Sequence, residues 1–262
     1  MTSGKRDPIT AGSEELATEG VPPASEHVDK LPPAAALALM LDRQENAITA
    51  VRAALNQIET AAIAAHDRLA NRPEGRLIYA GAGTSARIGV QDGVELPPTF
   101  NWPRDRLAFL VAGGLPALTS AIENAEDDAV AGGNAVAGHA VGPDDVVIAV
   151  AASGQTAFTV GVMQAAGAAG AVSIGIANNA NTALLAAADY PILLATGSEI
   201  IAGSTRLTAG TAQKICLNLI SNMIMIRMGY VAHGMMAAMV PTNEKLRRRR
   251  QQIDAILNTD QH

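Results

Sequence analysis

The hydrophobic and polar positions divide the chain into three stretches with different patterns. Residues 1–33 are rich in Pro, Gly, Ser and Glu and show no helical or strand period, so they are predicted to form a flexible arm. From residue 34 to about residue 69, apolar side chains recur at helical spacing without Gly or Pro, which predicts one or two long amphipathic helices. Beyond residue 76, short apolar runs alternate with helical segments.

The alternating stretch predicts a parallel sheet covered by helices. Five apolar runs are predicted to be buried strands, at residues 77–80, 107–111, 145–150, 171–176 and 190–194. Pro191 favours an edge position for the last of them. Helices are predicted at residues 86–94, 116–125, 157–168 and 182–188. This order is typical of an α/β protein with a doubly wound, mainly five-stranded parallel sheet, which binds ligands beyond the carboxyl ends of its strands.

Two more helices are predicted in the last third of the chain. A long helix runs from residue 208 to about 228, where Gly229 follows, and a final helix runs from 242 to about 257. The polar stretch 203–214, which includes Ser204 and Thr205, could cap the long helix or close over a ligand. Cys216 lies within an apolar stretch, so a buried structural thiol is predicted rather than a nucleophile.

Composition narrows the classes of function. Hydrophobic residues make up 48% of the chain and aromatic residues only 3%, which favours closely packed helices on a sheet. The formal net charge of −6 argues against non-specific binding of nucleic acid. No apolar run reaches about 18 residues, so no membrane span is expected. A single cysteine and the absence of a secretory signal pattern predict a cytoplasmic protein.

Two predicted strands lead into loops of small and hydroxyl-bearing residues. The loops contain Gly83, Thr84 and Ser85 in the first, and Ser153, Gly154, Gln155 and Thr156 in the second. Small residues let the backbone approach a ligand, and the following helix N-termini present unpaired N–H groups to an anion, so the pair of loops predicts a phosphate site. Each loop taken alone could simply cap its helix. The first loop lacks the third glycine of a dinucleotide fingerprint, so no nicotinamide cofactor is expected.

Two glutamates stand out as candidate acids and bases. Glu95 precedes a Leu-Pro-Pro sequence that ends a helix. Glu126 lies in the acidic run 123–128, at the predicted C-terminal end of a helix, where acids oppose the helix dipole. A functional site and a solvated acidic turn both fit this run. His139 and His233 have no second ligand at metal-binding spacing, so no metal is expected.

Taken together, these stretches resemble the N-acetylmuramic acid 6-phosphate etherases, a branch of the sugar isomerase (SIS) superfamily. The resemblance covers residues 30 to about 250 and rests on 81–85 with Arg87, 95–99, 123–127, 151–156, 203–214 and 241–246. It implies a SIS-type fold with a sugar-phosphate-binding domain at 34–246, then a C-terminal helix and tail at 247–262 without the family's small C-terminal helical domain. It also implies a homodimer that uses no cofactor.

The resemblance further implies a carbon–oxygen lyase that acts on a phosphorylated amino sugar. In this chemistry the D-lactyl ether is cleaved by elimination and hydration, giving N-acetylglucosamine 6-phosphate and D-lactate. By motif position, Glu95 looks like the acid that protonates the departing lactate, and Glu126 looks like the base that removes the C2 proton. The loop residues named above, together with Ser204 and Thr205, would bind the sugar phosphate.

The chain departs from the family pattern at two places, one near the expected anion site and one near the N-terminus. Gln155 stands where the family has an arginine, and Val21-Pro22-Pro23 replaces its usual Arg-Asn-Pro. Two other functions therefore stay open. One is a non-catalytic sugar-phosphate sensor, which would resemble the glucokinase regulatory proteins. The other is an aldose–ketose isomerase, which also removes a C2 proton.

Overall fold

The protein has the predicted α/β architecture, as seen in a computed structural model that describes residues 16–120, 122, 124–238, 247, 248 and 251. All five predicted strands are present and parallel. They are β1 (Leu77–Gly81), β2 (Leu107–Val111), β3 (Val146–Ala151), β4 (Val172–Ala177) and β5 (Tyr190–Leu193). The strand order is β2-β1-β3-β4-β5, so β5 lies at an edge, and the prediction made from Pro191 is confirmed.

Helices cover both faces of this sheet. They are α1 (Pro33–Arg43), α2 (Glu45–Ala53), α3 (Leu55–Asn71), α4 (Gly83–Val94), α5 (Leu96–Phe100), α6 (Ala129–Gly138), α7 (Ala157–Ala168), α8 (Ala183–Ala187) and α9 (Thr208–Arg227). Side chains alternate along each strand: Leu77 and Tyr79 pack with α2, α3 and α9, whereas Ile78 and Ala80 pack with α6, α7 and α8. The two resulting cores confirm the doubly wound arrangement.

The starts of β1 and β3 are joined by an ion pair between Asp145, which is buried, and Arg76, which is partly buried. Asp145 is 4% exposed, and its Oδ2 lies 2.6 Å from Nη2 of Arg76. The carboxylate also accepts hydrogen bonds from the backbone N–H groups of Arg76 and Gly142. Burial raises the pKa of Asp145, but the hydrogen bonds from the Arg76 side chain and from the two backbone N–H groups, together with the charge of Arg76, outweigh it and hold the pKa below its usual value. The pair thus joins the starts of the two strands whose carboxyl ends lead into the two loops.

The long helix α9 packs its apolar face against α2, α3 and α4. Cys216 lies on this face and is fully buried, and burial raises the pKa of its thiol. The prediction of a structural thiol is therefore confirmed. After α9 the chain forms a short hairpin of β6 (Val231–Ala232) and β7 (Met235–Met236). The helix predicted at 242–257 lies almost entirely outside the described residues.

The prediction of a helix at 116–125 is wrong. This stretch contains two short 3₁₀ turns, Leu115–Leu118 and Ala125–Asp127, and it follows two glycines with positive φ. A helix that was not predicted, α6, begins just after the second turn. The acidic run therefore precedes a helix instead of ending one, and Asp128 caps α6 by accepting a 2.8 Å hydrogen bond from the N–H of Ala131. The helix dipole favours acids at this end.

Residues 16–32, which the sequence assigns to a flexible arm, lie against the domain. They form three 3₁₀ turns, Ala17–Glu19, Ala24–Glu26 and Val28–Lys30. Thr18 is completely buried and is hydrogen-bonded to Asn179, a residue beyond the end of β4. Among the described residues, no helix is both long and apolar enough to cross a membrane.

Candidate active site

The two phosphate-type loops lie side by side because β1 and β3 are neighbours in the sheet. Gly81 pairs with Val150 at the carboxyl ends of these strands. A Cβ on Gly81 would lie 2.8 Å from the carbonyl oxygen of Val150 and 3.3 Å from the nitrogen of Ala86, so only glycine fits without a shift. This close approach brings both loops to one edge of the sheet, as predicted.

The first loop leads into the N-terminus of α4. Ala82 occupies the N-cap position, where it provides no side-chain cap, and Gly83 has a φ of +53°. The N–H groups of the first turn therefore have no intrahelical partner and no side-chain cap. Thr84 is half-buried and Ser85 is buried, and neither hydroxyl caps the helix. The arrangement can bind an anion through backbone and hydroxyl donors.

The second loop has the same character at the N-terminus of α7. Thr156 is the N-cap residue, but its side chain makes no cap hydrogen bond. Its hydroxyl lies 3.4 Å from that of Ser153, which accepts a 3.1 Å hydrogen bond from the N–H of Gln155. Gly154 has a φ of +67°, and a Cβ there would lie 2.3 Å from the hydroxyl of Thr182. Gly154 thus shapes the loop by packing closely against the start of α8.

A cavity of about 400 Å³ lies between the two loops. Among the residues predicted for the site, it is lined by Gly83, Thr84, Ser85, Glu126, Ser153, Gln155, Thr156 and Thr205. Gly154 and Ser204 were predicted with them but do not line it. Thr205 belongs to the polar stretch before α9, so this stretch reaches the ligand cavity as well as leading into the helix.

The start of α9 is fixed by a buried carboxylate that the sequence did not single out. Glu199 is 1% exposed, and its two oxygens accept hydrogen bonds from the N–H groups of Thr208 (2.9 Å) and Ala209 (2.8 Å). This glutamate caps α9 from well before its first turn. It thereby restrains the segment that carries Thr205.

The two candidate glutamates lie in different cavities of the subunit. Glu126 lines the cavity between the loops, on the exposed 3₁₀ turn Ala125–Asp127. Glu95 is exposed at the C-terminal end of α4 and lines a separate cavity of about 210 Å³ together with Lys214 and Asn218 of α9. The 12 residues of α4 separate Gly83 from Glu95, a distance of about 18 Å. One bound sugar cannot contact both ends of α4 in the same subunit.

The charges around the cavity are negative. Glu19, Glu126 and Asp127 line it, and no Lys or Arg is among its described lining residues. Arg87 instead lines a neighbouring cavity of about 310 Å³, which shares Gly83, Thr84 and Glu126 with this one. Its guanidinium donates hydrogen bonds to the carbonyl groups of Ala117, Leu118 and Ser120. Phosphate at this site would therefore be bound by neutral donors. Within the described ranges, no group of three or more His, Cys, Asp or Glu residues is placed to hold a metal ion.

Sequence reasoning missed Glu19 and Asp127 as lining residues. Asp127 adjoins Glu126 in a motif already singled out, so its position could have been found there. Glu19 lies in a segment without hydrophobic period, and nothing in its surroundings indicates that it reaches the cavity.

A parallel five-stranded sheet with two hydroxyl-rich loops at neighbouring strand ends is the arrangement of a SIS domain. Residues 130–227 match the family model described as "SIS domain", and residues 59–167 match "Glucokinase regulatory protein N-terminal SIS domain". The fold is also similar to two solved structures. A phosphoheptose isomerase from Francisella tularensis has a TM-score of 0.52 and 16% identity, over 74% of this chain and 97% of that one. A protein from E. coli CFT073 has a TM-score of 0.55 and 16% identity, over 78% of this chain and 97% of that one.

The similarity in sequence is more specific. The N-acetylmuramic acid 6-phosphate etherase of Deinococcus radiodurans is 50% identical over 229 residues, which cover 87% of this chain and 74% of that protein. The etherase of Streptomyces avermitilis is 42% identical over 248 residues, which cover 95% and 79%. The chain belongs to the N-acetylmuramic acid 6-phosphate etherase family.

Proposed function

We propose that the protein cleaves the D-lactyl ether of N-acetylmuramic acid 6-phosphate and releases D-lactate and N-acetylglucosamine 6-phosphate. Relatives that carry the etherase name at 42–50% identity support the substrate. The structural observation that carries the proposal is the cavity between the two loops, where uncapped helix N-termini and a free carboxylate, that of Glu126, face the same space.

The residues of the cavity suit the phosphate group of such a substrate. Thr84, Ser85, Ser153 and Thr156, with the first-turn N–H groups of α4 and α7, would bind the phosphate. Gln155 lines the same cavity and can donate a hydrogen bond through its amide, although it carries no charge. The phosphate would therefore be held chiefly by preorganised backbone and hydroxyl groups.

The reaction needs one group that removes a proton and one that supplies a proton. In the open-chain aldehyde the C2 proton is acidic, and Glu126 is the proposed base that removes it. The C3–O bond then breaks, and Glu95 is the proposed acid that protonates the departing lactate oxygen. Water adds at C3, activated by the same Glu95, and a proton returns to C2.

Glu95 can act on this sugar only if a second copy of the chain supplies it, because its own subunit holds it about 18 Å from the phosphate loop. We therefore propose a homodimer in which each site combines the loops and Glu126 of one subunit with Glu95 of the other. The protein would work in the cytoplasm, where it would return amino sugars released from peptidoglycan to metabolism.

The direct test is release of D-lactate from N-acetylmuramic acid 6-phosphate by the purified protein. Wild-type protein should release lactate, and Glu126→Gln should lower kcat about 10²- to 10⁴-fold, the usual contribution of a general base. Glu59→Gln, a change at an exposed position on α3, should leave kcat unchanged. Binding of the sugar phosphate without lactate would contradict the etherase proposal and favour a sensor, and formation of a ketose phosphate would favour an isomerase.

A further inference from the structure

The N-terminal segment forms one wall of the cavity between the loops. Glu19 lines this cavity together with residues of both loops and Thr205. We propose that the carboxylate of Glu19 contacts the substrate by accepting a hydrogen bond from a hydroxyl or acetamido N–H group of the sugar. The inference rests on the proposed function, since it assigns a further residue to the same sugar-phosphate site.

The segment is attached to the site by a reciprocal pair of hydrogen bonds. The N–H of Thr18 donates to Oδ1 of Asn179 at 3.2 Å, and Nδ2 of Asn179 donates to the hydroxyl of Thr18 at 2.9 Å. The same Nδ2 donates to the carbonyl oxygen of Ala152, also at 2.9 Å. Ala152 belongs to the second loop, so one buried amide joins the N-terminal segment to the phosphate site.

This attachment fixes the position of the residue that follows Thr18. Thr18 and Asn179 are 0% and 3% exposed, whereas Glu19 is exposed. A Cβ on Gly203 would lie 3.2 Å from Oε2 of Glu19, which places the carboxylate against the turn that leads to Thr205. Within the described part of the chain, the Glu19 carboxylate makes no hydrogen bond or ion pair. The backbone at Glu19 is therefore anchored, while the carboxylate has no cationic partner among the described residues.

The Glu19 carboxylate differs from the rest of the phosphate site because it accepts hydrogen bonds, whereas the loops donate them. The loops offer donors, which suit phosphate, whereas an ionised carboxylate can only accept hydrogen bonds. It attracts the hydroxyl and N–H groups of a sugar and repels phosphate. Glu19 would therefore favour the orientation in which the sugar faces the N-terminal segment and the phosphate faces the loops. Because the backbone beside Glu19 is already anchored, little ordering would be needed on binding.

The test compares binding of N-acetylglucosamine 6-phosphate with binding of inorganic phosphate by calorimetry. Glu19→Ala should weaken binding of the sugar phosphate about 10-fold or more, as expected for loss of a hydrogen bond to a charged group. Binding of inorganic phosphate should stay the same or strengthen. Glu59→Ala is the matched control. In the lactate assay, Glu19→Ala should raise KM more than it lowers kcat.

A second variant tests whether the contact of Glu19 with the sugar depends on the anchor at Thr18. Asn179→Ala removes the anchor, so it should weaken sugar-phosphate binding in the same direction, and adding Glu19→Ala should then have a smaller effect than in the wild type. The inference is overturned if Glu19→Ala binds the sugar phosphate as wild type does. It is also overturned if Glu19→Ala weakens inorganic phosphate equally. The binding experiment does not depend on turnover, so absence of lactate release would count against the proposed function alone.

Discussion

At the scale of single residues, the geometry of the site depends on a glycine, Gly81, at the end of β1. Gly81 ends β1 beside Val150, and the space that a Cβ would occupy is filled by a carbonyl oxygen. The conformation of Gly81 does not require glycine, since its φ is not positive. Glycine is required there because of the close contact with the carbonyl oxygen of Val150, and that contact sets the separation between the two loops.

Gly81→Ala should push β1 and β3 apart at their carboxyl ends. We expect a loss of about 1–3 kcal/mol in the free energy of unfolding, as for other overpacking changes in a tight core. We also expect at least a 10-fold weaker Kd for inorganic phosphate, because a displacement near 1 Å separates the donors of the two loops. Thermal or denaturant unfolding and calorimetry measure these effects.

Gly133→Ala is the matched control for this change. Gly133 lies in α6, and a Cβ there would meet nothing within 4 Å. Alanine should stabilise that helix by up to about 1 kcal/mol and leave phosphate binding unchanged. If both variants bind phosphate as the wild type does, contact at Gly81 does not set the geometry of the loops.

At the scale of elements, α9 combines a structural and a functional end. Its apolar face fills one core of the sheet, whereas its N-terminus follows directly from the turn that carries Thr205. Glu199 connects the two roles by capping the first turn from a buried position. The sequence gives no sign of this cap, because it lies outside the local capping positions.

Glu199→Ala should therefore affect both stability and binding. It leaves the N–H groups of Thr208 and Ala209 buried without an acceptor, which should cost about 1–3 kcal/mol in the free energy of unfolding. Freeing the turn should also raise KM for the sugar phosphate. Glu199→Gln keeps one acceptor oxygen, so its stability and its KM should lie between those of the wild type and those of Glu199→Ala. Glu45→Ala, at the exposed start of α2, should change stability by at most about 1 kcal/mol.

The elements that could be predicted from sequence are those with a clear hydrophobic pattern. The five strands are short, continuously apolar runs, and α9 is a long helix closed by Gly229. Helix α6 was missed because its alanines and glycines carry no apolar period. One of those glycines serves close packing instead: a Cβ on Gly132 would lie 2.2 Å from the carbonyl oxygen of Phe158 in α7.

The site was predictable to the extent that it follows strand ends. Both loops could be placed together because neighbouring parallel strands end at one edge. Glu19 could not, since its position depends on a long-range contact between Thr18 and Asn179. The separation of Glu95 from the loops follows from the length of α4 and could have been read from the sequence.

At the scale of the whole molecule, the separation of Glu95 from Glu126 supports the proposed homodimer. Glu95 lies beside Lys214, Asn218 and Asn222 of α9. The exposed side of the same helix carries Leu219, Met223 and Ile226, with exposures between 40% and 47%. Three exposed apolar side chains on the helix that also lines the Glu95 cavity are consistent with the proposed dimer surface.

Mixing two inactive variants tests this arrangement. Glu95→Gln and Glu126→Gln homodimers should each release little lactate. After they are unfolded together and refolded, about half of the dimers should be mixed, and each mixed dimer should hold one complete site, which restores about a quarter of wild-type activity. No recovery, with mixed dimers shown by mass spectrometry, would mean that each subunit uses its own Glu95 or that Glu95 plays no part.

The burial of Cys216 makes the protein convenient to label. The chain contains this cysteine and no other, and its thiol is enclosed in the core with a raised pKa. Maleimide reagents, which need an accessible thiolate, should leave the folded protein unmodified. A cysteine introduced at an exposed position would then be the sole reactive thiol. A fluorophore or spin label attached there, for instance on the N-terminal segment, would report its own site without a cysteine-free background having to be prepared.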